Sequence, residues 1–335
     1  MPNATFDVVI PLYQVCWNTR AVLEGLTTHY SPRAIHVIAP ERQARSLDRM
    51  SKQWHIAPLH VHPEEVFFEG VGFSKERICA ELNLESSLYT PGWFYQQLLK
   101  LGAPEGIEDL SEWYVVWDSD LLPVETWPLV TEDGRYAFAL IQHNGWGNAS
   151  IVSKWDKWIQ SVLGVEPLSD RVGTFVPHHI WFKQEHLASF KQQVCRYYES
   201  TESWLLLMMR SANEFGTFSE FWAYVSWVAA RAPEDLAYHP YDRYGATTER
   251  FFDDGTGKFS AALQRYQVTQ SNSEVDLAAP SYAALEAFIR DEYGDEALPS
   301  SLSFESSPRH LKKGRENMHI EELRSRWHAI EGEVA

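Results

Sequence analysis

Two short apolar segments near the N-terminus constrain the fold most strongly. Asp7–Pro11 and Ala34–Ala39 are almost continuously apolar, and between them Val22, Leu23 and Leu26 repeat with the spacing of a helix. A strand that is apolar on both of its faces has to be covered on both, as happens in the parallel sheets of α/β proteins. The sequence therefore predicts an α/β fold that opens with a strand, a helix and a second, parallel strand.

The rest of the chain alternates predicted strands and helices before its character changes near residue 265. The predicted elements are strands at 59–62, 65–68, 113–117 and 136–141, helices at 93–101, 153–164, 184–198, 218–230, 281–293 and 317–330, and a Ser-rich loop at 299–308. We expect a main domain over residues 1–265 and an accessory C-terminal helical extension over residues 266–335.

Composition excludes several classes of function. The chain has 335 residues, 44% of them apolar, and a formal net charge of −17, which argues against binding to nucleic acid or to anionic membranes. No apolar run approaches the about 18 residues of a transmembrane helix, and the N-terminus lacks the profile of a signal peptide, so we expect a cytoplasmic protein. Its cysteines, Cys16, Cys79 and Cys195, lack the spacing of a disulfide framework or a zinc site.

The most informative motif is Trp117-Asp118-Ser119-Asp120, which follows the apolar residues 113–116. Two carboxylates one residue apart at the end of a buried strand repel each other unless a cation lies between them. Mg²⁺ or Mn²⁺ is the natural counter-ion, and such an ion keeps coordination positions for phosphate oxygens. The motif therefore points to a diphosphate-bearing substrate. A plain turn at the end of a strand is the structural alternative, because Asp and Ser are common in turns.

Several segments share their order and spacing with a known group of enzymes. They are Gly92-Trp93-Phe94-Tyr95-Gln96-Gln97-Leu98-Leu99-Lys100, Trp117-Asp118-Ser119-Asp120, Trp158 with Leu163-Gly164, and Phe218-Ser219-Glu220-Phe221. Over residues 6–250 the chain resembles metal-dependent glycosyltransferases of the GT-A fold, and more closely a poorly characterised bacterial and fungal glycosyltransferase-like family. The resemblance implies a Rossmann-like, mostly parallel central sheet flanked by helices.

The resemblance also implies a substrate and a set of binding residues. The donor would be a nucleoside-diphosphate sugar, most simply a UDP-sugar, and the sugar, of the hexosyl type, would pass to an unidentified acceptor hydroxyl. Mn²⁺ or Mg²⁺ would be held by Asp118, Asp120 and His239, with Asp120 as the more direct ligand. The residues expected on the donor side are Pro11, Tyr13, Gln96, Gln97, Lys100, Trp117 and Ser119.

Each of these assignments has a structural alternative. Tyr13 would serve equally well as a core residue, and His239 as a residue without a ligand. Gln96 and Lys100 share one face of a predicted helix, where solvated polar residues are common. On the acceptor side the candidates are His178, His179 and Trp222, for which a structural role is the alternative.

Glu220 has two competing interpretations. Thr217-Phe218-Ser219-Glu220 has the Thr-x-x-Glu spacing of a capping box, which would give Glu220 a structural role worth about 1 kcal/mol. In the second interpretation, favoured by the resemblance, Glu220 is the general base that takes the proton from the acceptor hydroxyl. A retaining mechanism would not need this base.

Two other kinds of protein remain as alternatives. A haloacid-dehalogenase-like phosphotransferase also uses Asp-x-Asp at a strand end, and Asp253-Asp254 would supply its later acidic pair. That family has the motif on its first strand, whereas here it lies more than 100 residues into the chain. The other alternative, a non-catalytic carbohydrate- or nucleotide-binding module, would keep the aromatic residues without needing the acidic pair.

Overall fold

The strands and helices account for most of the described chain. The computed structural model describes residues 5–83, 90–139, 141–142, 149–168, 173–174, 178–239, 248–252, 261–263, 265–266, 280–294 and 298–305. Strands are β1 Asp7–Pro11, β2 Ala34–Ala39, β3 Leu59–Pro63, β4 Trp113–Trp117, β5 Leu121–Pro123, β6 Tyr136–Ala139, β7 Ile141–Gln142, β8 Gly173–Thr174, β9 His179–Lys183, β10 Leu236–His239, β11 Thr248–Phe252 and β12 Ser301–Glu305. Helices are α1 Thr19–Tyr30, α2 Glu41–Met50, α3 Lys75–Cys79, α4 Pro91–Leu101, α5 Ala103–Gly106, α6 Ala149–Trp158, α7 Gln184–Tyr197, α8 Trp204–Phe215, α9 Glu220–Arg231 and α10 Tyr282–Tyr293.

A mostly parallel sheet forms the centre of the molecule. Its strand order is β3-β2-β1-β4-β9; the first four strands are parallel, and β9 runs antiparallel to β4. Every residue of β1 is buried, and Val8 pairs with Ile35 on one side and with Val115 on the other. Helix α2 packs against β2 and β3, and α4 packs against β1. The predicted fold class, an α/β fold with a mostly parallel central sheet flanked by helices, is confirmed. None of the described helices combines the length and apolar character needed to traverse a bilayer.

Most predicted elements are present, but residues 65–68 form a turn instead of the predicted strand. Phe67 and Phe68 in this turn are buried because their rings lie directly over two glycines. A Cβ atom built on Gly102 would lie 2.6 Å from the Phe68 ring, and one on Gly106 would lie 2.5 Å from the Phe67 ring. The aromatic residues therefore close the core beside α5. Helices α2 and α8 were not predicted.

The described C-terminal elements pack into the same core as the rest of the fold. Residues 301–305, predicted as part of a loop, form β12, which pairs in parallel with β11 and antiparallel with β5. Leu302 and Phe304 are buried, and the Phe304 ring meets Trp17 edge-on at 5.1 Å. Helix α10, which was predicted, packs on α1, where the Tyr282 N–H donates to the Glu24 carboxylate at 2.8 Å. The predicted helix at 317–330 lies outside the described residues.

Phe304→Ala tests whether β12 belongs to the cooperative core. Because the Phe304 ring is 2% exposed, its removal leaves a cavity, and we expect the free energy of unfolding to fall by about 3 kcal/mol. Urea denaturation measures the loss. Tyr13→Ala, at a side chain that is 78% exposed, is the matched control and should change stability by less than about 0.5 kcal/mol. Equal stability of Phe304→Ala and the wild type would contradict the prediction.

Three histidines form a cluster on β2 and β3. His36 Nδ1 lies 3.1 Å from His62 Nε2, and the ring of His36 stacks on those of His60 and His62. Burial, followed by the neighbouring imidazoles of His36 and His60, lowers the pKa of His62 from 6.5 to about 4. The folded protein therefore keeps this ring neutral at pH values where the unfolded chain protonates it.

This pKa shift predicts a loss of stability in acid. The unfolded chain binds the extra proton between pH 6.5 and about 4, so the contribution of His62 is complete above pH 6.5 and falls as the pH is lowered toward 4. The slope for one proton is at most about 1.4 kcal/mol per pH unit. In His62→Gln the free energy of unfolding, measured by urea denaturation, should depend less on pH between pH 7 and pH 5. The exposed control His55→Gln should retain the pH dependence of the wild type. A slope unchanged by His62→Gln would refute the assignment.

Candidate active site at the Asp-Ser-Asp turn

The motif forms a tight turn at the carboxyl end of β4. This is the edge of a parallel sheet where α/β proteins bind their ligands. The Leu121 N–H donates to the Asp118 carbonyl at 3.1 Å, and the Trp117 indole N–H donates to the Leu121 carbonyl at 2.7 Å. The Phe304 N–H of β12 donates to the Asp120 carbonyl at 2.9 Å. Main-chain hydrogen bonds therefore fix the backbone of both aspartates without help from a ligand.

His178, which lies immediately before the antiparallel strand β9, holds the first carboxylate of the motif. Its carbonyl accepts the Asp118 N–H at 2.8 Å, and its Nδ1 lies 3.1 Å from Asp118 Oδ2. The His178 backbone has a φ of 62°, in the left-handed region that residues other than glycine seldom adopt. This conformation occurs immediately before β9. The ring and the carbonyl of one residue thus meet the same aspartate.

Lys100 of α4 lies between two carboxylates. Its Nζ is 2.8 Å from Asp118 Oδ1 and 2.7 Å from Glu220 Oε1, and it lies 4.3 Å from the centre of the Phe221 ring. Burial alone would lower the pKa of Lys100, but Asp118 and Glu220 outweigh it and raise that pKa above its ordinary value. Burial also opposes the charge on Asp118, yet Lys100 and then His178 hold its pKa well below the usual range. The ammonium and the two carboxylates form one charged group, in which Lys100 and Glu220 are buried and Asp118 is half-buried.

The capping-box interpretation of Glu220 is wrong. Ser219 is the N-cap of α9, and its hydroxyl accepts the Trp222 N–H at 3.4 Å. The Thr217 hydroxyl instead accepts the Trp155 indole N–H at 3.3 Å. Glu220 is the first helical residue, and its side chain turns to Lys100 instead of back to Thr217. The sequence pattern was misleading because a second hydroxyl residue, Ser219, lies two positions after Thr217 and caps the helix instead.

Gln97 supports the start of α9. Its Oε1 accepts the Glu220 N–H at 3.1 Å, which fixes the orientation of the amide. Its Nε2 is buried and has no hydrogen-bond partner among the described residues. Gln97 and Lys100 are the pair that faces Glu220, whereas Gln96 is half-buried. Of the three polar residues predicted on this helix, Gln97 and Lys100 are the two with a hydrogen bond to Glu220 in the described structure.

Three side chains at the turn could hold a metal ion. Ligand atoms of Asp118, Asp120 and His178 all lie within 4.8 Å of one another. Carboxylate oxygens and an imidazole suit Mn²⁺, and the carboxylates also suit Mg²⁺. His178 had been predicted on the acceptor side. His239 ends β10, and its side chain lies outside the described residues.

The structure divides the other predicted site residues into exposed and buried groups. Tyr13 follows β1 with 78% of its surface exposed, so its interpretation as a core residue is wrong. Trp117 and Trp222 are buried, and His179 is buried with its ring 4.9 Å from that of Trp117. The binding roles predicted for these three residues stay predictions. Pro11 is also buried and Ser119 is half-buried; Asp253 and Asp254 lie outside the described residues.

A family profile matches residues 17–276, which include the turn, α4 and α9. The chain belongs to DUF6492. Its description is a family of unknown function, so membership assigns no activity. No curated protein matches the sequence of this DUF6492 member.

Solved structures that are similar to the DUF6492 chain include sugar transferases. Mouse xyloside xylosyltransferase 1 in its apo form has a TM-score of 0.44 and 9% sequence identity, with 90% of this chain and 97% of that chain covered. Galactosyltransferase LgtC in complex with donor and acceptor sugar analogues has a TM-score of 0.38 and 10% identity, with coverage of 97% and 96%. Glucosyl-3-phosphoglycerate synthase from Mycobacterium tuberculosis, with Mn²⁺, UDP and glucosyl-3-phosphoglycerate, has a TM-score of 0.27 and 14% identity, with coverage of 72% and 77%.

The backbone of His178 yields a prediction about stability. In His178→Ala and His178→Gly the ring contacts are lost equally, but only alanine retains the strain of a φ of 62°. We expect His178→Gly to be more stable than His178→Ala by about 0.5–1 kcal/mol. This difference is the cost of placing alanine in the left-handed conformation, reduced by the larger conformational entropy that glycine has in the unfolded chain. Urea denaturation of the two variants measures this difference. The reverse order would mean that residue 178 does not adopt the left-handed conformation.

Proposed function

We propose that the chain is a metal-dependent glycosyltransferase that moves a sugar, of the hexosyl type, from a UDP-sugar to an acceptor hydroxyl. The observation that carries this proposal is the cluster of Asp118, Asp120 and His178 at the carboxyl edge of a mostly parallel sheet. A diphosphate repels two carboxylates, so a site of this composition accepts such a donor only together with a divalent cation.

The loop after β1 supports a nucleotide beside this cluster. Tyr13 presents an exposed ring at the same sheet edge, where a base could stack on it. The loop is tied down at two points after Tyr13, since the Val15 N–H donates to Gln43 Oε1 at 3.1 Å and the Trp17 ring meets Phe304 of β12. An exposed aromatic ring on an anchored loop is suited to binding a flat ligand without a large ordering cost.

The chain's own residues have separate tasks in this mechanism. Asp118, Asp120 and His178 would hold Mn²⁺ or Mg²⁺, which as a Lewis acid neutralises the charge that develops on the departing diphosphate. Main-chain bonds hold the backbone of Asp118 and Asp120, and Lys100 and His178 hold the Asp118 carboxylate, so little reorganisation accompanies binding.

The first test of this function is metal-dependent binding of UDP. Asp120→Asn removes a formal ligand charge at nearly constant shape, and we expect UDP affinity in Mn²⁺ to fall at least about tenfold, or about 1.4 kcal/mol. Isothermal titration with UDP in Mn²⁺ and in EDTA measures the effect. Asp133→Asn removes a carboxylate whose side chain is 59% exposed and pairs with Arg135, so it is the matched control and should bind UDP like the wild type. Equal affinity of the wild type with and without metal would refute the proposal.

A second assay separates the alternatives. The purified chain is incubated with a panel of nucleotide sugars and, in parallel, with an aryl phosphate. Release of UDP from a UDP-sugar is the expected result. Phosphate release from the aryl substrate without any UDP release would favour the phosphotransferase, and binding of nucleotide without turnover of any donor would favour a non-catalytic module.

A further inference from the structure

We propose that Glu220 is a positioning residue for Asp118, acting through the ammonium of Lys100, and not the general base. The inference rests on the proposed metal-dependent transferase function. It names a contact chain from α9 to the Asp-Ser-Asp turn: Glu220 holds Lys100, and Lys100 in turn holds Asp118.

The surroundings of Glu220 favour this role. A general base has to come within hydrogen-bond reach of the acceptor hydroxyl. Glu220 is only 6% exposed, and its Oε1 already accepts from Lys100 at 2.7 Å. Its N–H is bound by Gln97, so the backbone of the residue is fixed as well as its side chain. These contacts direct the carboxylate toward the interior of the protein.

The balance of charge explains why such a residue would be needed. Lys100 has two carboxylate partners, so neither one has to neutralise its ammonium alone. Without Glu220 the ammonium would pair with Asp118 only, and it would then compete with a divalent cation for Asp118 Oδ1. With Glu220 present, Asp118 retains negative charge for the cation. Glu220 thereby sets both the orientation and the effective charge of a metal ligand that it does not touch.

The experiment compares Mn²⁺ affinity, melting temperature and transfer rate in four proteins. They are the wild type, Glu220→Gln, the double variant Lys100→Met with Glu220→Gln, and the control Glu105→Gln. Mn²⁺ binding is followed by electron paramagnetic resonance with the metal alone and with UDP. Glu105 is the matched control because it also pairs with a buried lysine, Lys191, at 2.7 Å, and its described partners are not residues of the turn.

The positioning role predicts opposite changes in the two site variants. Glu220→Gln should weaken Mn²⁺ binding about tenfold or more, because the ammonium then opposes the metal at Asp118. The double variant removes the ammonium as well, so its Mn²⁺ affinity should return to the wild-type value or exceed it. Because Lys100 and Glu220 lose their charges together and Asp118 keeps its contact with His178, this variant should also fold. Glu105→Gln should lose stability but retain wild-type Mn²⁺ affinity.

Other outcomes would overturn the inference in distinguishable ways. Wild-type Mn²⁺ affinity in Glu220→Gln, with transfer lost in both site variants, would make Glu220 the general base. An equal loss of Mn²⁺ affinity in Glu105→Gln would mean that only overall stability is being measured. A wild-type protein that binds neither Mn²⁺ nor UDP would refute the proposed function itself, and the positioning role with it.

Discussion

The buried ammonium of Lys100 is the contact on which the arrangement of the site depends. A charged group that is 5% exposed is tolerated only if its partners compensate for lost hydration, and here the partners come from two other parts of the chain. Asp118 follows β4, whereas Glu220 begins α9. Removing one partner of such a group typically costs about 3–5 kcal/mol. Helix α4, the turn after β4 and helix α9 are therefore held together by electrostatic attraction as well as by packing.

The sequence predicted those parts of the fold that have a local signal. Asp7–Pro11 and Trp113–Trp117 were predicted as strands because a buried parallel strand needs an almost continuous apolar run. Ser301–Glu305 was predicted as a loop because serine is common in loops, although Ser301 and Ser303 are fully buried in the strand. Their alternation with Leu302 and Phe304 has the period of a strand, so the hydrophobic pattern indicates a strand where the serine content indicates a loop.

The site was only partly predictable, for a different reason. Asp118 and Asp120 were identified because their spacing is a local property. Nothing local indicates that His178 would face Asp118, since that contact depends on β9 lying beside β4 in antiparallel register. The same holds for Glu220, whose neighbours in sequence suggest a cap while its contacts in space are Lys100 and Gln97. Contacts between distant segments need the assembled fold.

The bond from Phe304 to Asp120 has a consequence for biosynthesis. Residue 304 is translated long after residue 120, so while the ribosome still covers β12 a nascent chain would have a central sheet but an incompletely fixed aspartate turn. If Asp120 ligates a cation as proposed above, that intermediate would offer a less preorganised site, because a site gains affinity from ligands already held in place. A chain truncated between β11 and β12 would then keep its central sheet and lack the bond that fixes the second aspartate.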